Sequence, residues 1–410
     1  MNGSEDEVLI RGLEERADKL RGLLSFARRA FVLEFAGTPK SGKSTSVEAV
    51  RHFFSRHGFR VHVLAERAAV CPLPMKGHLF FNTWCMTSML ADLLANFETE
   101  TDLIIVDRGL IDSLVWLNMQ KDRGELTDEE AKCFESFVLL ERWTSLIDLG
   151  VILQVDAAES LRRERSNRVA SGDGRIMNLT TLATITNSVD AAAERYKDNF
   201  AKLVTMKSDG GVRHFNALLI DEILKEVNTF VDPNILVVSK EELQGSGICT
   251  NGCFLPESLE KFQEFLRANS KFLKRSQAEG NPDYVQIIAC VVVTHDNRVF
   301  VFERQEKDQK SKLYGKLTLW HGSHVREEVG DISTQCIVDA GSRRMNESLF
   351  LNKNLELHSV GYCWNGEESH LGVVLRLDID NALTAADLTK KEFRRSRGYG
   401  LSGTMQMGDS

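Results

Sequence analysis

The stretch FVLEFAGTPKSGKSTSVEAV, residues 31–50, decides how the first half of this chain folds. Residues 31–37 form a short apolar run ending in glycine, the pattern of a buried strand. Gly37-Thr38-Pro39-Lys40-Ser41-Gly42-Lys43-Ser44 follows, matching G-x-x-x-x-G-K-[ST]. From 44 to 57 apolar residues recur at helical spacing. Strand, glycine turn and helix in this order are the context the motif needs. The glycines let the backbone curl so that successive N–H groups face phosphate oxygens beside the positive end of the helix. Thr38, Lys40, Ser41 and Thr45 share that cradle with Gly37 and Gly42. Lys43 is expected to reach the β and γ phosphates, and the Ser44 hydroxyl to hold Mg²⁺. ATP, or another nucleoside triphosphate, and Mg²⁺ are the expected cofactors.

Working outward, three further apolar runs resemble the first: 60–66, 102–108 and 151–156, with helical patterns at 44–57, 81–97 and 127–148 between them. Strands alternating with helices imply right-handed crossovers and a parallel sheet covered on both faces. An amphipathic helix is expected at 6–29, and ILVVS at 235–239 reads as a fifth strand. Glycine and small polar residues at 244–256 mark a boundary, followed by a helix at 257–275 and a linker around Gly280, Asn281 and Pro282. From 284 strands dominate, with one helix near 332–348. The expected division is 1–243, a linker with one helix at 244–283, a mixed α/β unit at 284–390, and a loosely ordered tail at 391–410.

The 410 residues are too many for one ordinary core. With 42% hydrophobic and 27% charged residues, and no apolar run long enough to span a bilayer, the chain reads as soluble and not bound to a membrane. Its start, MNGSEDEVLI, lacks the basic-then-apolar layout of a secretory signal, so a cytoplasmic location is expected. A net charge of −8 disfavours nucleic acid as a partner. Of the eight cysteines only Cys249 and Cys253 are close in sequence, and free thiols are the simpler reading.

Two segments bear on what is done with a bound nucleotide. The 102–108 strand ends in Asp107-Arg108, and a carboxylate at a strand's C-terminal end sits in the crevice where open α/β sheets bind ligands. It can hold a metal-bound water while the arginine grips a phosphoryl group. Glu66-Arg67 ends the 60–66 strand and can project into the same crevice, as a base or simply as an ion-pair partner. Together, Gly37–Ser44, Glu66-Arg67, Phe81-Asn82 and Asp107-Arg108 resemble the ordered motifs of the deoxynucleoside kinase and thymidylate kinase superfamily, over roughly residues 28–205. The resemblance implies an α/β fold with a P-loop kinase-type sheet. It also implies Glu66 as catalytic base, Arg108 as stabiliser of the transferring phosphoryl group, and an acceptor of nucleoside or nucleotide type. Where that family has Phe-Gln to orient a base, this chain has Phe81-Asn82, with Trp84 near enough in sequence to stack on a ring. An arginine-bearing lid is implied at about 160–180. Arg162, Arg163, Arg165 and Arg168 recur there at helical spacings, with Arg165 and Arg168 the preferred candidates and Arg175 a weaker one.

The run Tyr284–Gly322, with LWHGSHV at 319–325, resembles the approach to a Nudix box, a glycine-rich loop leading into a metal-binding helix. Gly322 and Glu328 stand at the box's spacing. Aligned on Arg343, the displaced helix offers Arg344 and Ser348 where the box has glutamates, leaving Glu347. Losing two carboxylates and gaining a cation weakens Mg²⁺ binding. The resemblance therefore implies a Nudix-like domain that binds a metabolite or partner without hydrolysing it. Three alternatives stay open: a nucleotide-sensing NTPase regulator in stress or phage defence, an active kinase joined to an active pyrophosphohydrolase, and a kinase acting on a polynucleotide end or sugar nucleotide. A homo-oligomer is compatible with all of them.

Overall fold

Seven consecutive buried residues make β1 (Phe31–Gly37) the middle of a parallel sheet. The computed structural model describes residues 2–27, 29–75, 77–96, 100–167, 177–248, 252–254, 259–295, 298–304, 315–327, 332–349, 355–364, 369–379 and 399–406. The chain divides into two compact units, Met1–Phe230 and Val231–Ser410.

In the first unit β1 is joined by β2 (Val61–Leu64), β3 (Leu103–Asp107), β4 (Leu149–Gln154) and β5 (Leu203–Lys207), in the order β2-β3-β1-β4-β5. Every pair is parallel. The helices are α1 (Asn2–Leu23), α2 (Lys43–Arg56), α3 (Leu79–Asn96), α4 (Leu110–Asp122), α5 (Asp128–Val138), α6 (Glu141–Thr144), α7 (Ala157–Asn167), α8 (Leu179–Tyr196) and α9 (Val212–Val231). The near-continuous apolar runs of β1, β3 and β4 follow from burial on both faces. Val32, Ile104 and Ile152 of those strands share a core with Leu90, Leu114 and Ile185 of α3, α4 and α8. The α/β architecture expected from the alternation is the one observed.

The fifth strand differs from expectation. It is β5, whose LVTMK is only half-buried at the sheet's edge and so lacks a strong apolar signal. The expected candidate at 235–239 instead lies in β6 (Asn234–Ser239) and pairs within the second unit.

That unit also holds α10 (Lys240–Gly245), β7 (Gly252–Phe254), α11 (Leu259–Asn269), β8 (Ser270–Lys274), α12 (Arg275–Ala278), β9 (Tyr284–His295), β10 (Arg298–Arg304), β11 (Leu317–Thr318), β12 (Trp320–His324), α13 (Thr334–Leu349), β13 (His358–Trp364), β14 (His370–Asp378) and β15 (Tyr399–Gln406). Residues 244–283 are thus more than a linker with one helix: β7 pairs with β13, and β8 with β6. The expected tail holds β15, which covers β10 from Arg298 to Arg304; its glycines hid the strand pattern.

β9 organises the sheet. Along one edge it pairs parallel with β14 from Gln286 to Thr294. Along the other it pairs antiparallel with β6, then β12, then β10. Helix α13 lies against this sheet at Gly341, where an added Cβ would meet Leu375 Cδ1 at 2.7 Å, Leu357 Cδ1 at 3.0 Å and Val291 Cγ2 at 3.1 Å. No helix among the described residues is long and apolar enough to cross a membrane.

Gly341→Leu should overpack this contact and destabilise the second unit by about 2 kcal/mol, read as a lower urea midpoint. An unchanged midpoint would contradict the packing described.

Candidate active site

The loop between β1 and α2 needs backbone that few side chains allow. Gly37 has φ 129° and Gly42 φ 89°, and Lys40 takes φ 58°. A Cβ on Gly37 would lie 1.9 Å from the Leu153 carbonyl oxygen, so only glycine fits there. Thr38 ties the loop to the neighbouring strand: its N–H donates to Leu153 O (3.0 Å), and its Oγ1 accepts from Val155 N–H (3.0 Å). Helix α7 holds the loop from outside. Ser160 Oγ donates to Pro39 O (2.8 Å), Arg163 Nη1 donates to Lys40 O (3.1 Å), and Lys40 Nζ pairs with Glu164 (2.7 Å). Inside the loop the buried Lys43 donates to Gly37 O (2.9 Å) and Thr38 O (2.7 Å). Ser41 Oγ is buried without a hydrogen-bond partner, while Ser44 and Thr45 are exposed at the start of α2.

Glu34, a charged residue in the middle of β1, is fully buried. Its Oε1 accepts N–H from Gly109 (3.0 Å), Ile111 (2.7 Å) and Asp112 (3.4 Å), and its Oε2 from Leu110 (3.0 Å). These are the open N–H groups at the start of α4, and an anion suits that helix end. Burial pushes the Glu34 carboxyl up to about 7 against the downward pull of the N–H groups. The turn so held contains Arg108, a non-glycine residue at φ 66°. Arg108 Nε lies 2.9 Å from Glu66 Oε1, and its Nη1 lies 3.5 Å from Asp112 Oδ2.

Lys43, Asp107 and Arg108 lie within electrostatic reach of one another, and each also of Glu66 and Asp112. Burial, aided by Arg108, lowers Lys43 to about 7, although Asp112, Asp107 and Glu66 pull upward. Burial and Glu66 raise Asp107, against Arg108 and Lys43, and Asp107 Oδ1 is buried without a hydrogen-bond partner. Burial opposes the charge on Arg108, but Asp112, Glu66 and Asp107 outweigh it and hold the guanidinium above its usual value. Two cations, three carboxylates and two orphaned buried oxygens fit a site for a phosphate chain and a hard cation.

Other expected residues are placed differently. Asn82 is buried on α3, and its Nδ2 donates to Ser113 O (3.1 Å), so that N–H serves helix packing. Phe81 and Trp84 are half-buried on the same helix. In α7 Arg165 is exposed and Arg162 pairs with Glu159. Arg163 is the arginine that reaches the loop, and it also donates to Ser208 O (2.6 Å). Arg168, Arg175 and Glu328 lie outside the described residues, as does the side chain of Glu347. Gly322 sits in β12 opposite Cys290, and Arg344 is buried on α13. Sequence reasoning missed Glu34 and Asp112. The signal for Glu34 was a carboxylate interrupting a wholly apolar strand, and for Asp112 its position one helical turn after Arg108.

The parallel sheet, the G-x-x-x-x-G-K-[ST] loop between β1 and α2 and the aspartate ending β3 define a P-loop NTPase-like, nucleotide-binding fold for the first unit. Within it, the family model described as methylmalonyl Co-A mutase-associated GTPase MeaB matches residues 11–70. Protein YmaB of Bacillus subtilis (strain 168) is 26% identical over 156 residues, which is 36% of this chain and 74% of that protein. Among solved structures, deoxyadenosine kinase from M. mycoides with its products dCMP and dCDP is similar over 48% of this chain and 100% of its own, at 15% identity and a TM-score of 0.38. The putative Nudix hydrolase Tm1382 is similar over 42% of this chain and 85% of its own, at 21% identity and a TM-score of 0.30.

Glu34→Ala strips the acceptor from the start of α4 and should lower the stability of the first unit by about 3 kcal/mol, measured by urea denaturation. Glu34→Gln should cost less, because its remaining oxygen still accepts from Gly109 and Ile111. Equal midpoints for Glu34→Ala and the unchanged chain would contradict this role.

Proposed function

We propose that the first unit is an ATP- and Mg²⁺-dependent phosphotransferase whose acceptor is a nucleoside, a nucleotide or a related hydroxyl compound. The observation that carries this reading is the pair Arg108–Glu66 beside Lys43: a phosphoryl-binding cation, a carboxylate able to take a hydroxyl proton, and a loop lysine in one crevice. The loop N–H groups and Lys43 would bind the triphosphate. Ser44 and Asp107 would hold Mg²⁺, which would supply charge neutralisation on the phosphates. Arg108 would turn from Glu66 toward the transferring phosphoryl group, freeing Glu66 to orient the acceptor hydroxyl. Arg163, fastened to Lys40 O and Ser208, positions the loop from outside.

For the second unit the proposal is a Nudix-like ligand-binding domain without hydrolase activity, since the helix that would offer carboxylates carries the buried Arg344. Asn82 favours one other reading, a nucleotide-sensing regulator, because its amide N–H is engaged by Ser113 O rather than directed to a base. Incubation with ATP, Mg²⁺ and a panel of nucleosides and nucleotides separates the two. ATP consumption raised by one acceptor, with a phosphorylated product, supports the kinase; consumption indifferent to all acceptors supports the sensor.

Lys43→Ala should reduce turnover at least about a hundredfold, and Arg108→Ala comparably, by steady-state assay. Full turnover in either variant would overturn the mechanism. ATP binding should also carry a proton signature. The free Lys43 titrates near 7, and phosphates beside it favour the charged form. Above that pH, binding therefore takes up a proton, and affinity falls as pH rises. Calorimetry in buffers of different ionisation enthalpy reads the uptake, which Lys43→Met should abolish.

A further inference from the structure

We infer that the second unit carries a site for a divalent first-row transition ion, Zn²⁺ foremost, made by Glu279, His324 and His370. One ligand atom from each of these residues lies within 4.8 Å of the others. The backbone explains why they meet. His324 ends β12, whose partner on β9 is Ile288, and His370 begins β14, whose partner on β9 is Gln286. The two histidines therefore flank β9 on opposite sides at nearly the same height, with ring centroids 6.4 Å apart. Glu279 follows α12 directly, its N–H bonded to Arg275 O (2.8 Å).

Beneath them lies the wholly buried side chain of Gln286. Its Oε1 is 2.9 Å from His324 Nε2, and its Nε2 donates to Ala278 O (3.4 Å), the residue before Glu279. Ser369 Oγ is 3.2 Å from His370 Nδ1. Each imidazole thus has one nitrogen fixed by a side-chain oxygen, the arrangement that orients histidines in metal centres. One nitrogen of each ring would then serve as the ligand atom. Two imidazoles and one carboxylate suit Zn²⁺, Co²⁺, Ni²⁺ or Fe²⁺, whereas Mg²⁺ prefers oxygen donors alone. Bonds of about 2 Å in a tetrahedral shell set ligand atoms about 3.3 Å apart. Small rotations of these side chains would bring the donor atoms together, that of the exposed Glu279 in competition with Arg275, whose Nε lies 3.7 Å from Glu279 Oε2. Three protein ligands leave a fourth position to water or an anionic group of a bound molecule.

The site shares β12 with Gly322 but draws its donor atoms from residues outside the expected Nudix-box set, and it does not depend on the activity of the first unit. The test is titration of the chelator-treated full chain with ZnCl₂, and with CoCl₂ followed by visible absorption, with MgCl₂ as control. About one equivalent of Zn²⁺ should bind at micromolar concentration or below, raise the thermal midpoint and produce a Co²⁺ spectrum typical of a four-coordinate site. Mg²⁺ should do none of this. His324→Asn and His370→Asn should each weaken Zn²⁺ binding at least about tenfold, and together abolish it. Circular dichroism without metal confirms that the variants fold. No binding at 100 micromolar Zn²⁺ (roughly the upper end for a built site) would overturn the assignment. So would unchanged binding in the folded double variant, which would place the ion elsewhere in the chain.

Discussion

A carboxylate in the middle of a parallel sheet is costly unless its charge is answered. In this chain the answer to Glu34 is the first turn of α4, whose N–H groups have no partner within the helix. Each solves the other's problem, and the solution fixes the path between them. Gly109 must pass so close that a Cβ there would lie 2.9 Å from Glu34 Oε2. Arg108 is held at a positive φ, and its guanidinium is delivered between Glu66 and Asp112. The strand residue thus sets the helix start, and the helix start sets the arginine.

The phosphate loop is braced in a comparable way. The Leu153 carbonyl and Val155 N–H fix Thr38 from one side, while α7 grips Pro39, Lys40 and their carbonyls from the other. Lys43 fills the loop's interior by donating to the carbonyls of Gly37 and Thr38. Bracing from both sides limits the conformations open to the loop. On the proposed function, Lys43 would exchange these carbonyl oxygens for phosphate oxygens.

What could be read in the sequence follows from how each feature is built. The loop, β1, β3, β4 and the Asp107-Arg108 strand end were legible because burial on both faces leaves continuous apolar runs and because the loop demands glycine at two fixed places. β5 was not, since an edge strand keeps exposed polar residues. β6 has a strong apolar run, yet nothing in that run says which sheet it joins; only its pairing with β8 and β9 does. Asn82 could be seen, but not that Ser113 O would engage its amide. Among the α7 arginines, helical spacing could not single out Arg163, whose role depends on the distant Lys40 carbonyl and Ser208.

The pairing of β9 with β14 has a consequence for biosynthesis. The two strands lie far apart in the chain yet run side by side from Gln286 to Thr294. So long a loop must close before the first rung forms, which makes this sheet late to order. On the ribosome β9 emerges well ahead of β14, so the rungs from Gln286 to Thr294 cannot form until the later strand has been made.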